Sequence, residues 1–116
     1  MKITLLDERP LSWNRFYAGL HWTARAAESE RVKALVVVEL LQVERGPFDG
    51  PVDIVVTAFF KNRPQDPDNI CSKLYIDALI GRLLLDDGYK HVHSVMTRSR
   101  VDRKKPRVEI EIRKAF

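Results

Sequence analysis

The sequence predicts an α+β (α/β mixed) fold, a mixed β-sheet carrying two main helices in the order β-α-β-α-β-β. Residues 23 to 44 hold neither proline nor glycine and repeat apolar side chains at helical spacing. Residues 52 to 60 and 108 to 113 alternate instead with a period of two, the spacing of strands. Glycine and proline pairs punctuate the intervals, so the periodic segments are separate elements. A chain of 116 residues is sized for one domain with one core, here residues 1–116.

Lys2 to Leu6 reads as a first strand, followed by a turn-rich segment from Asp7 to Asn14 that contains Pro10. The long helix is expected from Thr23 to Glu44, with Val32, Leu35, Val36, Leu40 and Val43 on its apolar face. Gly46-Pro47 ends it, and Asp49-Gly50-Pro51 is a second breaker. In the next strand Val52, Ile54, Val56, Ala58 and Phe60 share one face. The opposite face, with Val55, Thr57 and Phe59, is also largely apolar, which predicts a central strand covered on both sides.

Asp66 suits a helix N-cap and Pro67 the first helical position, so a second helix is expected from there to about Ile80. Gly81 breaks it, and Leu83 to Leu85 leads to an Asp86-Asp87-Gly88 turn. From Lys90 to Val101 a strand is expected with Val92, Ser94 and Met96 on one face and His91, His93, Val95 and Thr97 on the other. A basic turn at Arg103 to Pro106 then joins it, as a hairpin, to a last strand in which Val108, Ile110 and Ile112 alternate with Glu109, Glu111 and Arg113.

Composition excludes several classes. The longest apolar run, Ala34 to Val38, is far short of the roughly 20 residues of a bilayer span, and the N-terminus does not open a signal peptide. No membrane association and a cytoplasmic location are expected. A single cysteine, Cys71, forms neither an internal disulfide nor a zinc cage and reads as core.

Charge is distributed unevenly. Five of the nine aspartates lie between Asp66 and Asp87 against Lys73 and Arg82, a local −3 in a chain of net charge +4. Arg98, Arg100, Arg103, Lys104, Lys105 and Arg107 oppose the lone acid Asp102 within ten residues. Such clustering is described for nucleic-acid-binding surfaces, so these six cations are candidate DNA-binding residues, with a merely solvated basic hairpin as the alternative.

Asp66 and Asp68 place two carboxylates beside one helix start, and a third comes from Asp86 or Asp87. Hard oxygen donors of this kind suit Mg²⁺, with Mn²⁺ as substitute, because these ions accept one or two carboxylates plus water and substrate phosphate. The ion polarises a phosphodiester and lowers the pKa of its bound water. Asn69, Lys73 and Asp77 follow at intervals of four along one helix face, which aims Lys73 at the phosphate. Each acid also has a structural role open to it, as cap, first-turn residue or turn former. His91 and His93 read as strand histidines, for want of a third nitrogen or sulfur ligand. His21 carries no assignment. Trp13, Phe16, Tyr17 and Trp22 read as packing or contact residues, with stacking on unpaired bases as the alternative.

At these residues the chain resembles the RusA family of Holliday-junction endodeoxyribonucleases of phages and prophages. The family pattern is matched by Asp66-Pro67-Asp68-Asn69, Lys73, Asp77-Ala78-Leu79 and Asp86-Asp87. The likeness is best from Phe59 to Val92, continues into the last strand, and includes a Pro10-Leu11-Ser12-Trp13-Asn14 loop. Lys73 stands at the family lysine when counted back from Asp77, whereas counting forward from Asp68 reaches Ser72. The resemblance implies a Mg²⁺-dependent crossover-junction endonuclease acting as a homodimer. It would nick opposing strands of branched, four-way DNA symmetrically, in recombination and repair. It gives Asp66, Asp68 and Asp87 metal-binding catalytic roles and Lys73 that of the essential lysine. Two rivals stand beside it: a junction-binding protein without catalysis, and a module whose basic hairpin docks on an acidic protein.

Overall fold

The computed structural model of the chain describes all 116 residues as a four-stranded sheet with helices against one face. The strands are β1 (Lys2–Leu6), β2 (Val52–Phe60), β3 (Val92–Val101) and β4 (Arg107–Lys114), in the spatial order β1-β4-β2-β3. The helices are α1 (Trp22–Leu40) and α2 (Lys73–Leu79), preceded respectively by a π-helical turn (Arg15–Gly19) and a 3-10 turn (Pro67–Asn69). The element order agrees with the α+β expectation, and no helix is long and apolar enough to cross a membrane.

β2 is the central strand, as its two apolar faces suggest. It pairs antiparallel with β4 and parallel with β3, so the chain from Lys61 to His91 is a crossover that carries α2. Val52, Ile54, Val56, Ala58 and Phe60 enter one core with Val32, Val36 and Leu40 of α1 and Leu74, Tyr75 and Leu79 of α2. Their opposite face has no second layer. Val55 and Thr57 are buried there by neighbouring side chains, and the Arg107 guanidinium lies 3.7 Å from the centre of the Phe59 ring. A strand flanked on both sides hides its side chains without a covering helix.

Four expectations need correction. β3 and β4 are not a hairpin: β2 lies between them, and their connection arches over the end of β2, where the Asp102 amide donates to the Phe60 carbonyl at 2.9 Å. The second helix does not begin at Pro67. The three-residue 3-10 turn gives way to extended Ile70, whose neighbour Cys71 donates to the Leu11 carbonyl, and α2 starts only at Lys73. A bulge between Val52 and Asp53 shifts the register of β3, so Val92 packs on the core while Ser94 and Met96 take the other face. Finally, α1 stops at Leu40, before Gly46-Pro47, and only Val32, Val36 and Leu40 are buried; Leu35 is 39% exposed. The stretch was apolar for longer than the core requires.

One buried charge ties the layers together. Glu8 is 6% exposed and receives both terminal nitrogens of Arg31 from α1, at 2.9 and 3.1 Å, and the Tyr75 hydroxyl from α2, at 2.8 Å. Arg31 also donates to Glu28, so one guanidinium serves two carboxylates. Burial, then the Glu8 charge, pushes the Tyr75 hydroxyl well above its ordinary pKa, which keeps it a donor at every physiological pH. Removing Glu8 leaves that buried hydroxyl without an acceptor, at about 1–3 kcal/mol, while its half-exposed ion pair adds about 1 kcal/mol at most. Glu8→Ala should therefore lower the unfolding free energy by about 2–3 kcal/mol and Tyr75→Phe by about 1 kcal/mol. Urea unfolding checks the order, and a Glu8→Ala midpoint equal to wild type contradicts it.

Candidate metal and nucleic-acid site

The acidic turn is held from three directions. Thr97 of β3 donates its hydroxyl to the Pro67 carbonyl, Ser12 forms an isolated antiparallel bridge with Ile70, and the Asn69 amide closes the turn on the Asp66 carbonyl at 2.9 Å. Asp66 has extended backbone and its side chain caps nothing, so the N-cap role expected of it is not used. Asp68 sits in the exposed turn. Asn69 precedes α2, which leaves only Lys73 and Asp77 of the expected helical row on the helix.

Lys73 and Asp77 form an i,i+4 ion pair at 3.2 Å. The Asp77 hydrogen bond is the main reason the Lys73 ammonium titrates above its ordinary value, and the charge of Asp87 contributes in the same direction. The Asp86-Asp87 turn thus lies within electrostatic reach of the α2 start. It leads directly into β3, where the His91 and Val92 amides both donate to the Gly88 carbonyl at 2.9 Å.

Partners separate these acids from the others. Asp49, Asp77 and Asp102 are ion-paired and Asp53 is hydrogen-bonded to His93 and Ser94, which leaves Asp7, Asp66, Asp68, Asp86 and Asp87 with no cation or donor on the carboxylate. Four of those five belong to the candidate site. No three His, Cys, Asp or Glu side chains lie close enough together to hold a metal ion. Two adjacent, solvated carboxylates are nonetheless the donor set Mg²⁺ accepts when water and phosphate supply its other ligands. Asp66 and Asp68 fit that description, with Asp87 or Asp86 across the crossover.

The six cations of the basic stretch are divided by the fold. Arg98 and Arg100 share the face of Thr57 and Phe59, opposite the face on which Thr97 meets the acidic turn. Arg103, Lys104 and Lys105 are exposed on the arch, which Asp102 shapes by accepting from the Lys104 and Lys105 amides. Arg107 is not free. It donates through Nε to Glu109 at 2.9 Å and through Nη1 to Asp102 at 3.0 Å and to the Lys105 carbonyl, while stacking on Phe59, so two of its three nitrogens are in structural use. Those bonds, Glu109 first, raise its pKa further and hold Asp102 below the usual carboxylate range.

Sequence reading missed cations that the fold brings to the same end of the sheet. Arg9 donates to the Asn62 and Arg63 carbonyls, just past the end of β2, and Lys61 and Arg63 are exposed beside it. They are scattered along the chain, and no local spacing joins them. The histidines take other duties. His93 pairs with Asp53 at 2.9 Å and holds its ring edge-on to Phe116, and His21 caps α1 by accepting from the Thr23 amide. Phe16 is buried, while Trp13 stacks on Tyr17 with centroids 5.5 Å apart and leaves Tyr17 61% exposed. Cys71 is fully buried, and burial raises its thiol pKa, so it is core as expected.

No family model, curated protein or solved structure matches the chain.

The Lys73–Asp77 pair makes a titration prediction. Its folded pKa lies above the ordinary 10.5, so the pair's contribution is complete below that value and is lost as pH rises through the Lys73 titration. Asp77→Asn should bring the Lys73 ammonium back toward 10.5. Side-chain NMR titration reads this, and an unchanged midpoint would sink the pairing.

Proposed function

We propose that this protein is a Mg²⁺-dependent, structure-selective endodeoxyribonuclease that resolves four-way DNA junctions by paired nicks, as the RusA-type pattern of its acids implies. What supports the reading is that its free aspartates are concentrated: Asp66, Asp68, Asp86 and Asp87 stand exposed and unpaired at the two ends of one crossover, with Lys73 between them. Elsewhere the chain pairs its aspartates, Asp7 excepted.

Asp66 and Asp68, with Asp87, would hold the ion. Bound there, Mg²⁺ supplies charge neutralisation at the phosphodiester and a bound water of lowered pKa. The chain's own residues do the rest. Lys73 keeps its proton through Asp77 and offers a fixed cation to the phosphate or the leaving oxygen, an electrostatic contribution that needs no reorganisation at the moment of reaction. The arch of Arg103, Lys104 and Lys105, with Lys61 and Arg63, gives the backbone-binding charge, and Arg107 holds that arch in shape instead of touching DNA. A homodimer presents two such sites to two like strands, since a twofold assembly is self-complementary to a symmetric junction.

Asp66→Asn and Asp87→Asn should each reduce Mg²⁺-dependent nicking of a labelled four-way junction by more than about 100-fold, since loss of even an outer-shell partner of a metal typically costs 10–100-fold. Both variants should retain junction binding in EDTA. Mapping cuts on all four strands checks the symmetry, and nicking at wild-type rate by either variant refutes the site.

A further inference from the structure

The two edges of the sheet are built differently. β3, at one end of the strand order, carries Arg98 and Arg100 and is tied at Thr97 to the acidic turn. Charged side chains on an edge strand oppose the addition of another strand. β1, at the other end, has little such guard: it contains no proline, pairs with β4 without a register shift, and bears one charge, Lys2.

The alternation of the ladder shows which main-chain groups of β1 are free. Met1 and Ile112 exchange both of their bonds, at 3.1 and 2.9 Å, and the Asp7 amide donates to the Pro106 carbonyl. In an antiparallel ladder every second residue faces the neighbouring strand, so Ile3 and Leu5 also turn to β4. Lys2, Thr4 and Leu6 then turn their N–H and C=O groups to the open edge.

Beside that edge lies an apolar surface that the core does not use. Leu5, Leu6, Ala34, Leu35 and Val38 line a groove of about 350 Å³ in which Glu39 is the one charged member. Leu6 is 60% exposed and Val38 57%, and Leu41, one turn on from Val38, is 66% exposed. Arg31, two turns before Val38 on the same side of α1, is committed to Glu8 and Glu28 and brings no free charge. Single apolar side chains on a surface need no explanation, but a patch that runs from a helix onto an unguarded strand edge marks an interaction site.

We infer that this face joins two copies of the chain, β1 pairing antiparallel with β1 of its partner about a twofold axis at Thr4, and α1 packing beside α1. What covers the face must offer a strand with a free edge and an apolar helix flank next to it, and the chain's own surface offers both. A twofold contact requires a patch complementary to itself. Centred on Thr4, the pairing sets Thr4 against Thr4 and Lys2 against Leu6, so every outward N–H and C=O meets its mate and no like charges stand opposite. With 19 residues α1 is about 28 Å long and about 10 Å wide, and one strand spacing of about 5 Å beyond it gives a strip of about 400 Å² per copy. Two strips make about 800 Å² of flat footprint, which accessible area exceeds, so the contact stands at the small end of specific interfaces and its dissociation constant in the micromolar range. The face is argued from the fold alone and does not rest on the nuclease reading. It leaves the acidic turn, tied to the β3 edge, uncovered.

The test is the mass of the full chain by analytical ultracentrifugation, without DNA or divalent ion, from about 1 to about 200 µM. A reversible rise from 13.4 kDa to twice that mass is expected. Val38→Lys puts an unpaired charge into the contact and should raise the dissociation constant by more than about 10-fold. Leu6→Lys and Leu6→Glu read the register. The first sets like charges against Lys2 of the partner subunit and should weaken the dimer about 10-fold relative to the second, which sets opposite ones. Met96→Lys, the same kind of change on exposed β3, should leave the constant unchanged. Since Leu6 and Val38 are exposed in the monomer, dilute samples of each variant should keep the wild-type melting temperature. A chain that stays monomeric throughout the range overturns the inference and leaves the face to another protein. A dimer indifferent to Val38→Lys, or dissociated by Met96→Lys, overturns it by placing the contact elsewhere, and equal constants for Leu6→Lys and Leu6→Glu overturn the strand register. Loss of junction nicking with the dimer intact counts against the nuclease reading alone.

Discussion

The buried carboxylate of Glu8 is the constraint on which the arrangement of this chain depends. It lies one residue past a left-handed Asp7, at φ 58°, on a loop with no regular structure of its own, yet it reaches α1 through Arg31 and α2 through Tyr75. A charge so enclosed is tolerable only when every oxygen has a partner, and here Arg31 and Tyr75 supply them. The consequence is positional. With Glu8 fixed, Arg9 is delivered to the end of β2 and Leu11 and Ser12 are laid against Ile70 and Cys71, so the loop that braces the acidic turn is anchored by an interaction outside it. Glu28, the second carboxylate on Arg31, completes a network spanning three segments distant in sequence.

The parallel pairing of β2 with β3 sets the second half of the geometry. Parallel neighbours need a crossover, and in open sheets functional groups collect where such connections leave the strand ends. Here the crossover leaves β2 through Lys61 to Gln65, turns at Asp66 to Asn69, runs through α2 and re-enters at Asp86 to Gly88. α2 is seven residues long and buried on most of its surface, so it spaces the two acidic turns as a rigid strut. Thr97 fixes the first turn to β3. Like charges left unpaired in such a place repel one another, and a bound cation would relieve that repulsion.

Legibility in the sequence tracks the range of the interactions responsible. β4 alternates with a period of two, β1 does so weakly over a short stretch, and β2 is apolar on both faces, yet all three were legible nearly to the residue, because burial of a strand writes itself locally. The start of α2 was not. Asp66-Pro67 is a good helix opening by local rules, but the Cys71 amide is claimed by Leu11, 60 positions away, and Ile70 by Ser12; tertiary pairing overrides the cap. The β3–β4 hairpin failed for a related reason. Basic residues and a proline between two alternating segments look the same whether the strands pair with each other or straddle a third. The acids of the site were visible as a cluster because they are close in sequence. Arg9 and Gln65 were invisible as neighbours because only tertiary bonds bring the first to the Asn62 and Arg63 carbonyls and the second to the Pro10 carbonyl.

Charge on this molecule therefore follows a division of labour that net charge conceals. Arg107, the last of the six clustered cations, is spent on Asp102, Glu109 and Phe59, and through Asp102 it shapes the arch that exposes Arg103, Lys104 and Lys105. Arg98 and Arg100 sit on an edge strand whose sides are mostly exposed, where charged side chains also oppose edge-to-edge association. The cations gathered at the end of β2 are instead those of the arch, Arg103, Lys104 and Lys105, and those of the β2 exit, Arg9, Lys61 and Arg63. They come from three separate stretches of the chain, so the sequence shows only the arch as a cluster, and the fold joins the others to it through the Arg9 bonds to the Asn62 and Arg63 carbonyls and the Asp102 amide bond to the Phe60 carbonyl.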